Sequence, residues 1–174
     1  MRAFLAIPIL DVNLLEILRK LTTNYSSIDW VKPENLHLTL HFFADIDLTT
    51  VQLISSMMSH LVKNHFVFNI EYQDTLLLPS NTSPKSLAYA INKSSELMQL
   101  VTNIKIVLNT HGFKSEHRKF IPHVTLGRIK STNFDIPQLP KLKINSPVTE
   151  IILFQSVSEN IDVIYKPLAS FHLN

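Results

Sequence analysis

The chain has no cysteine, only two glycines and a single tryptophan in 174 residues. The missing cysteine excludes disulfides and thiolate metal sites and fits a reducing, cytoplasmic setting. The two glycines, Gly112 and Gly127, exclude a glycine-rich phosphate loop, so any phosphate must be held by side chains or ordinary backbone amides. No apolar run is long enough to span a bilayer. The best early candidate, Phe4 to Leu10, contains Pro8 and stops at Asp11, and a membrane is not an expected partner. Charged residues are 17% of the chain and hydrophobic residues 45%, the balance of a globular protein and not a disordered one. That length suits one domain of two small lobes, and the chain is expected to be a monomer.

The net charge of +2 conceals an asymmetry. Residues 85–143 carry ten Lys/Arg and three acids, a balance of +7, and the remainder has six basic and eleven acidic residues, a balance of −5. A basic half points to an anionic partner, with nucleic acid a leading candidate, or else to a solvated charged face with no partner.

Against this background one short pattern occurs twice. Leu36-His37-Leu38-Thr39-Leu40 returns as Pro122-His123-Val124-Thr125-Leu126. One His-x-Thr is weak by itself, but two copies flanked by apolar residues are expected by chance fewer than about 0.01 times in such a chain. In a strand, alternation sends His37 and Thr39 to one face and Leu38 and Leu40 to the other. The second copy presents His123 and Thr125 in the same way. By the same count His41 would also face the polar side, as a rim histidine.

The surrounding chain reads as strand 2–7, a helix to about residue 24 capped by Asp11, a connection at 30–33, and the first motif strand at 36–43. Asp47 caps a second helix whose stripe is Val51, Ile54, Met58, Leu61 and Val62. Phe66 to Tyr72 alternate as a strand that 75–78 continue or pair with. Residues 79–85 form a turn-rich loop. A strand at 86–91, a helix capped by Ser94 and ended near Gly112, and the second motif strand at 120–129 follow. Residues 130–147 read as a long loop. Strands at 148–154 and 161–165 close the chain, with a turn at Ser158-Glu159-Asn160. Residues 2–43 and 86–129 thus form an internal repeat. Ala3–Ile7 aligns with Leu87–Ile91 at an offset of 84, and the histidines are offset by 86. Two such α+β lobes, related by an approximate two-fold, would bring both motifs to one central cleft.

Two histidines across a groove can serve as base and acid near neutral pH, and threonine hydroxyls beside them can bind non-bridging phosphate oxygens. This suits in-line displacement at phosphorus. No carboxylate or third histidine stands at a metal-binding spacing, so neither a metal nor a cofactor is expected. Phe42, Phe43 and Tyr89 are aromatic side chains that could stack a base, although strand aromatics ordinarily pack in a core.

The segments Trp30-Val31-Lys32-Pro33-Glu34-Asn35-Leu36-His37-Leu38-Thr39-Leu40 and Phe120-Ile121-Pro122-His123-Val124-Thr125-Leu126-Gly127-Arg128 resemble the two-histidine phosphoesterase superfamily. Within it they resemble the RNA 2′,3′-cyclic phosphodiesterases, also called 2′-5′ RNA ligases. The opening Met1–Ile7 and closing Tyr165–Leu168 are similar as well. The resemblance implies a bilobal α+β fold with the site in the central cleft. It implies opening of RNA-terminal 2′,3′-cyclic phosphates to 2′-phosphates without a metal, and in some members 2′-5′ ligation in reverse. It assigns His37 and His123 as acid and base, and Thr39, Thr125 and Arg128 as substrate binders. Strict alternation sets Arg128 on the face opposite His123, so its role requires a bend at Gly127 or a side chain reaching round the strand end. The first motif departs from the usual Phe-Leu-Gly continuation with His41-Phe42-Phe43-Ala44-Asp45, and Pro84-Lys85 replaces a usual Pro-Arg. The partners implied are RNA ends carrying a 2′,3′-cyclic phosphate, or cyclic nucleotides. Competing readings are the same chemistry on a small nucleoside or ADP-ribose cyclic phosphate, and a non-catalytic RNA-end-binding module.

Overall fold

The computed structural model describes residues 1–113, 119–130, 137–142, 145–159 and 162–174. Three helices pack on one face of a curled antiparallel sheet, giving the expected α+β architecture of two lobes. The first lobe is built on β1 (Ala3–Pro8), β3 (His37–Phe43), β8 (Glu150–Glu159) and β9 (Asp162–His172). The second is built on β4 (Phe68–Leu78), β5 (Ser86–Ile91), β6 (His123–Ile129) and β7 (Asn145–Val148). The strand order is β7-β4-β5-β6-β3-β1-β8-β9, and β2 (Ile28–Trp30) pairs with β6 beside that path. The lobes meet where β3 pairs with β6 at Leu38 and Val124.

Local chemistry explains the helices. Asp11 caps α1 (Val12–Asn24) by accepting from the amides of Asn13 and Leu14. Asp47 caps α2 (Leu48–Leu61) through the Thr50 amide, and Ser94 caps α3 (Ser95–Thr110) through the Leu97 amide. Gly112 takes φ 82 just past α3, a conformation that favours glycine. The helices bury Leu14, Leu18 and Leu21, then Ile54, Met57, Met58 and Leu61, then Leu97, Leu100, Val101, Ile104 and Leu108, all in one core with Leu5, Ile7, Leu38 and Val124. Both adjacent methionines therefore fill core space. Asp11 also joins the lobes: the hydroxyl of Ser146, a buried residue within β7, donates to its Oδ2 at 2.6 Å and lies 3.1 Å from the Tyr72 hydroxyl.

The structure corrects several expectations. The connection at 30–33 starts from a three-residue strand, β2, because Ile28, Asp29 and Trp30 pair with Ile129, Arg128 and Gly127. Phe66 is 76% exposed and outside β4, which runs unbroken to Leu78 through a register shift between Tyr72 and Thr75. The expected loop at 130–147 contains the start of β7, paired with β4, and residues 131–136 and 143–144 of it lie outside the described residues. The closing strands are longer than expected and pair from Glu150–His172 out to Glu159–Asp162. Ser158 and Glu159 of the expected turn are thus strand residues, and Asn160 lies outside the described residues.

The repeat also needs a different register. His37 pairs with Pro8 and His123 with Ala90, while Thr39 pairs with Ala6 and Thr125 with Ala88. By partner, β1 and β5 match at an offset of 82 (90 minus 8, 88 minus 6), two less than the sequence alignment. A slip of two residues preserves the faces of a strand, so alternation alone cannot detect it.

Candidate active site

The motif residues converge where the lobes join. Leu38 and Val124, the same position in the two repeats, are paired antiparallel and fully buried. Extending that register by one residue sets His37 opposite Thr125 and Thr39 opposite His123. Each histidine thus faces the other repeat's threonine. His37 and His123 stand on a diagonal of the pair, where side chains start roughly 7–8 Å apart. A phosphate fits between imidazoles so spaced.

The same device orients both rings. His37 Nδ1 lies 2.7 Å from the Asn35 carbonyl oxygen, and His123 Nδ1 lies 2.6 Å from the Ile121 carbonyl oxygen. A carbonyl only accepts, so each Nδ1 carries the proton. Each Nε2 is left outside that bond, able to accept a proton when the ring is neutral and to donate one when it is charged.

The rings sit in different surroundings. His37 lies 4.9 Å from the Phe4 ring and 5.1 Å from the Tyr165 ring, measured between centroids, with Tyr165 edge-on. Burial in this nest lowers the His37 pKa from 6.5; the Asn35 carbonyl opposes the shift, and the charge of His123 adds to it. Phe4 and Tyr165 escaped the reading of the sequence. Phe4 is only 1% exposed yet stands outside the helix-side core, a position that alternation from His37's partner Pro8 could have flagged.

Both motif strands carry a bulge at the same place. Leu5 pairs with His41 and Ala6 with Thr39, so Leu40 has no partner on β1. Leu87 pairs with Gly127 and Ala88 with Thr125, so Leu126 has none on β5. An extra residue inverts the facing of everything beyond it. In β3 the inversion turns His41 to the core side, where it is 7% exposed and 4.7 Å from the Phe43 ring, so His41 is not the expected rim histidine. In β6 it turns Arg128 onto the face of His123 and Thr125, with its partner Ser86. Arg128 thus reaches the site side through the bulge, and no detour round the strand end is needed. Gly127 permits close approach of β2: a Cβ there would meet Ile28 Cγ2 at 2.4 Å.

The bulges also make the two walls unlike. The pair equivalent to Ser86 and Arg128 is Phe4 and Phe42, whose rings lie 5.6 Å apart. Phe42 is 53% exposed, while Phe43 and Tyr89 are buried, so only the first of the three aromatic candidates is available. One wall is therefore aromatic, with Phe4, Phe42, Phe154 and Tyr165, and the other is polar and cationic. Among the described residues no three His, Asp or Glu side chains converge as a metal cluster, and no helix is long and apolar enough to cross a membrane.

Comparison with known proteins agrees with this architecture. A family model described as LigT like Phosphoesterase matches residues 10–89 and again 90–165. A Thermotoga maritima protein named RNA 2′,3′-cyclic phosphodiesterase is 32% identical over 136 residues, covering 75% of this chain and 71% of the relative. A Methanothermobacter thermautotrophicus protein of the same name is 27% identical over 99% of this chain and 98% of its own length. Among solved structures, TT0787 of Thermus thermophilus superposes with a TM-score of 0.85 at 20% identity, over 99% of this chain and 98% of that one. E. coli LigT complexed with 3′-AMP superposes at 0.81 with 24% identity, over 99% and 97%. The chain belongs to the LigT-like phosphoesterase family, whose members are hydrolases.

Proposed function

We propose that the chain hydrolyses the terminal 2′,3′-cyclic phosphate of RNA to a 2′-phosphate, without a metal, using His37 as general base and His123 as general acid. The observation that carries this reading is the matched pair of imidazoles. Each is fixed by an Nδ1–H bond to a carbonyl two residues earlier, and each is opposite the other's threonine. The names of the Thermotoga and Methanothermobacter relatives support the substrate class.

The roles follow from the surroundings. Burial against Phe4 and Tyr165 favours the neutral form of His37, which suits a base. Water attacks phosphorus and gives its proton to His37 Nε2. The bond from phosphorus to O3′ breaks in line, and O3′ takes a proton from the Nε2–H of charged His123. The pair ends with the proton on the other ring and resets by exchange with solvent. Thr39 and Thr125 donate to the non-bridging oxygens, where charge accumulates in the transition state. Arg128 holds the phosphate's charge from the cationic wall, and Phe42 offers a face to the terminal base. With a 5′-hydroxyl attacking in place of water, the same displacement of O3′ would form a 2′-5′ linkage.

Phosphorus NMR of a nucleoside 2′,3′-cyclic phosphate and of a cyclic-phosphate-ended oligonucleotide, each with excess EDTA, tests the reading. The expected product is the 2′-monophosphate. No conversion of either substrate, or release of the 3′-isomer, would contradict it.

A further inference from the structure

The aromatic wall ends in a feature that the chemistry above does not use. The backbone amide of Ser156 donates to the Arg2 carbonyl at 2.9 Å, and Ser156 pairs with Tyr165. Arg2, Ser156 and Tyr165 therefore form one row across β1, β8 and β9. Alternation along β1 places Arg2 on the face of Phe4 and Ala6, the partners of Phe42 and Thr39. The Tyr165 ring leans out of this row to 4.8 Å from Phe4 and 5.1 Å from His37, linking Arg2 to the reacting centre. Arg2 is exposed, and among the described residues no carboxylate lies within ion-pair distance of it.

Tyr165 senses two cations. Burial raises its pKa, and the charges of Arg128 and Arg2 act against that rise, so its hydroxyl lies within the field of both guanidinium groups. It stays protonated at neutral pH and can donate a hydrogen bond. Cationic groups thus continue the track from Arg128, past the histidines, to Arg2. A single cyclic nucleotide has one phosphate and fills only the centre of such a track. An RNA end adds a phosphodiester one nucleotide upstream.

We propose that Arg2 and the Tyr165 hydroxyl hold this upstream phosphodiester, so that the protein favours an RNA end over a lone cyclic nucleotide. The proposal rests on the cyclic phosphodiesterase reading and names its substrate determinant. A guanidinium presents paired donors that match two phosphate oxygens, and the phenol supplies a third.

The test compares kcat/KM for a nucleoside 2′,3′-cyclic phosphate and for a dinucleotide ending in the same cyclic phosphate. Wild type is expected to favour the dinucleotide. Arg2→Gln should shrink that preference roughly tenfold or more, as expected for loss of a charge-assisted bond. Arg2→Lys should recover part of it, because charge returns without the fork. Tyr165→Phe should shrink it less. Lys20→Gln removes an exposed charge on α1 that is paired with Glu16, and should leave the preference unchanged. An unaltered preference in Arg2→Gln overturns the proposal. So does an equal loss on both substrates, or a matching effect from Lys20→Gln. Wild-type protein that turns over neither substrate would refute the underlying reading, and this proposal with it.

Discussion

Gly127→Ala is the substitution whose cost can be worked most directly from the structure. A Cβ at Gly127 would lie 2.4 Å from Ile28 Cγ2, 3.1 Å from the Asp29 carbonyl oxygen and 3.4 Å from the Trp30 Cα. Two of these three are backbone atoms. The third belongs to a β-branched side chain only 3% exposed, which has no room to swing away. β2 must therefore move off β6. Overpacking of this kind costs about 1–3 kcal/mol, and for a chain of this size it should lower Tm by roughly 2–12 °C. The shift also reaches the site, because Arg128 follows Gly127 and pairs with Asp29 of the displaced strand. Thermal unfolding by circular dichroism and kcat/KM on a cyclic phosphate should fall together. Gly112→Ala is the contrast. Its φ of 82 imposes strain of about 1–2 kcal/mol on an alanine, but nothing lies within 4 Å of the new Cβ, and Gly112 follows α3 and belongs to neither motif strand. That variant should lose stability and keep kcat/KM. If Gly127→Ala retains both the wild-type Tm and wild-type turnover, the close packing of β2 on β6 is refuted.

Two further outcomes follow from the site. The plot of kcat/KM against pH should be bell-shaped, with its acid limb centred below the ordinary imidazole value of 6.5. Burial lowers the His37 pKa, so the base is freed of its proton at lower pH and activity rises through that lower range. A flat profile between about pH 5 and 8 would count against a two-histidine mechanism. Thr39→Ala and Thr125→Ala should each weaken transition-state binding by about 1–3 kcal/mol, read as a fall in kcat/KM; near-wild-type rates in both would remove the threonines from phosphate binding.

The sequence displayed the local features well and the long-range ones poorly. Asp11, Asp47 and Ser94 were legible as caps because a side chain three residues or fewer from its amide is a local device. The paired His-x-Thr motifs were legible because two strands of like pattern bury like residues, and Leu38 and Val124 do meet at the centre. The bulges at Leu40 and Leu126 were not legible. Both residues are apolar and fit either register, and whether a strand carries an unpaired residue depends on a partner about 30 to 40 positions away. That one unseen feature turned His41 inward, against expectation, and it supplies beside Gly127 the bend that Arg128 needs to share a face with His123. The aromatic nest of His37 was hidden for a related reason. Tyr165 arrives from β9, the last strand, through pairings that no local pattern encodes.

The central claim is that two imidazoles from two lobes share one reaction. Its most direct test is the phosphorus NMR assay on a cyclic-phosphate substrate with wild type, His37→Ala and His123→Ala, each checked for an intact fold by circular dichroism. Wild type is expected to convert the substrate to the 2′-phosphate, with rates at least about a hundredfold lower in each variant, the usual scale of a lost general acid or base. Near-wild-type conversion by either folded variant would contradict it.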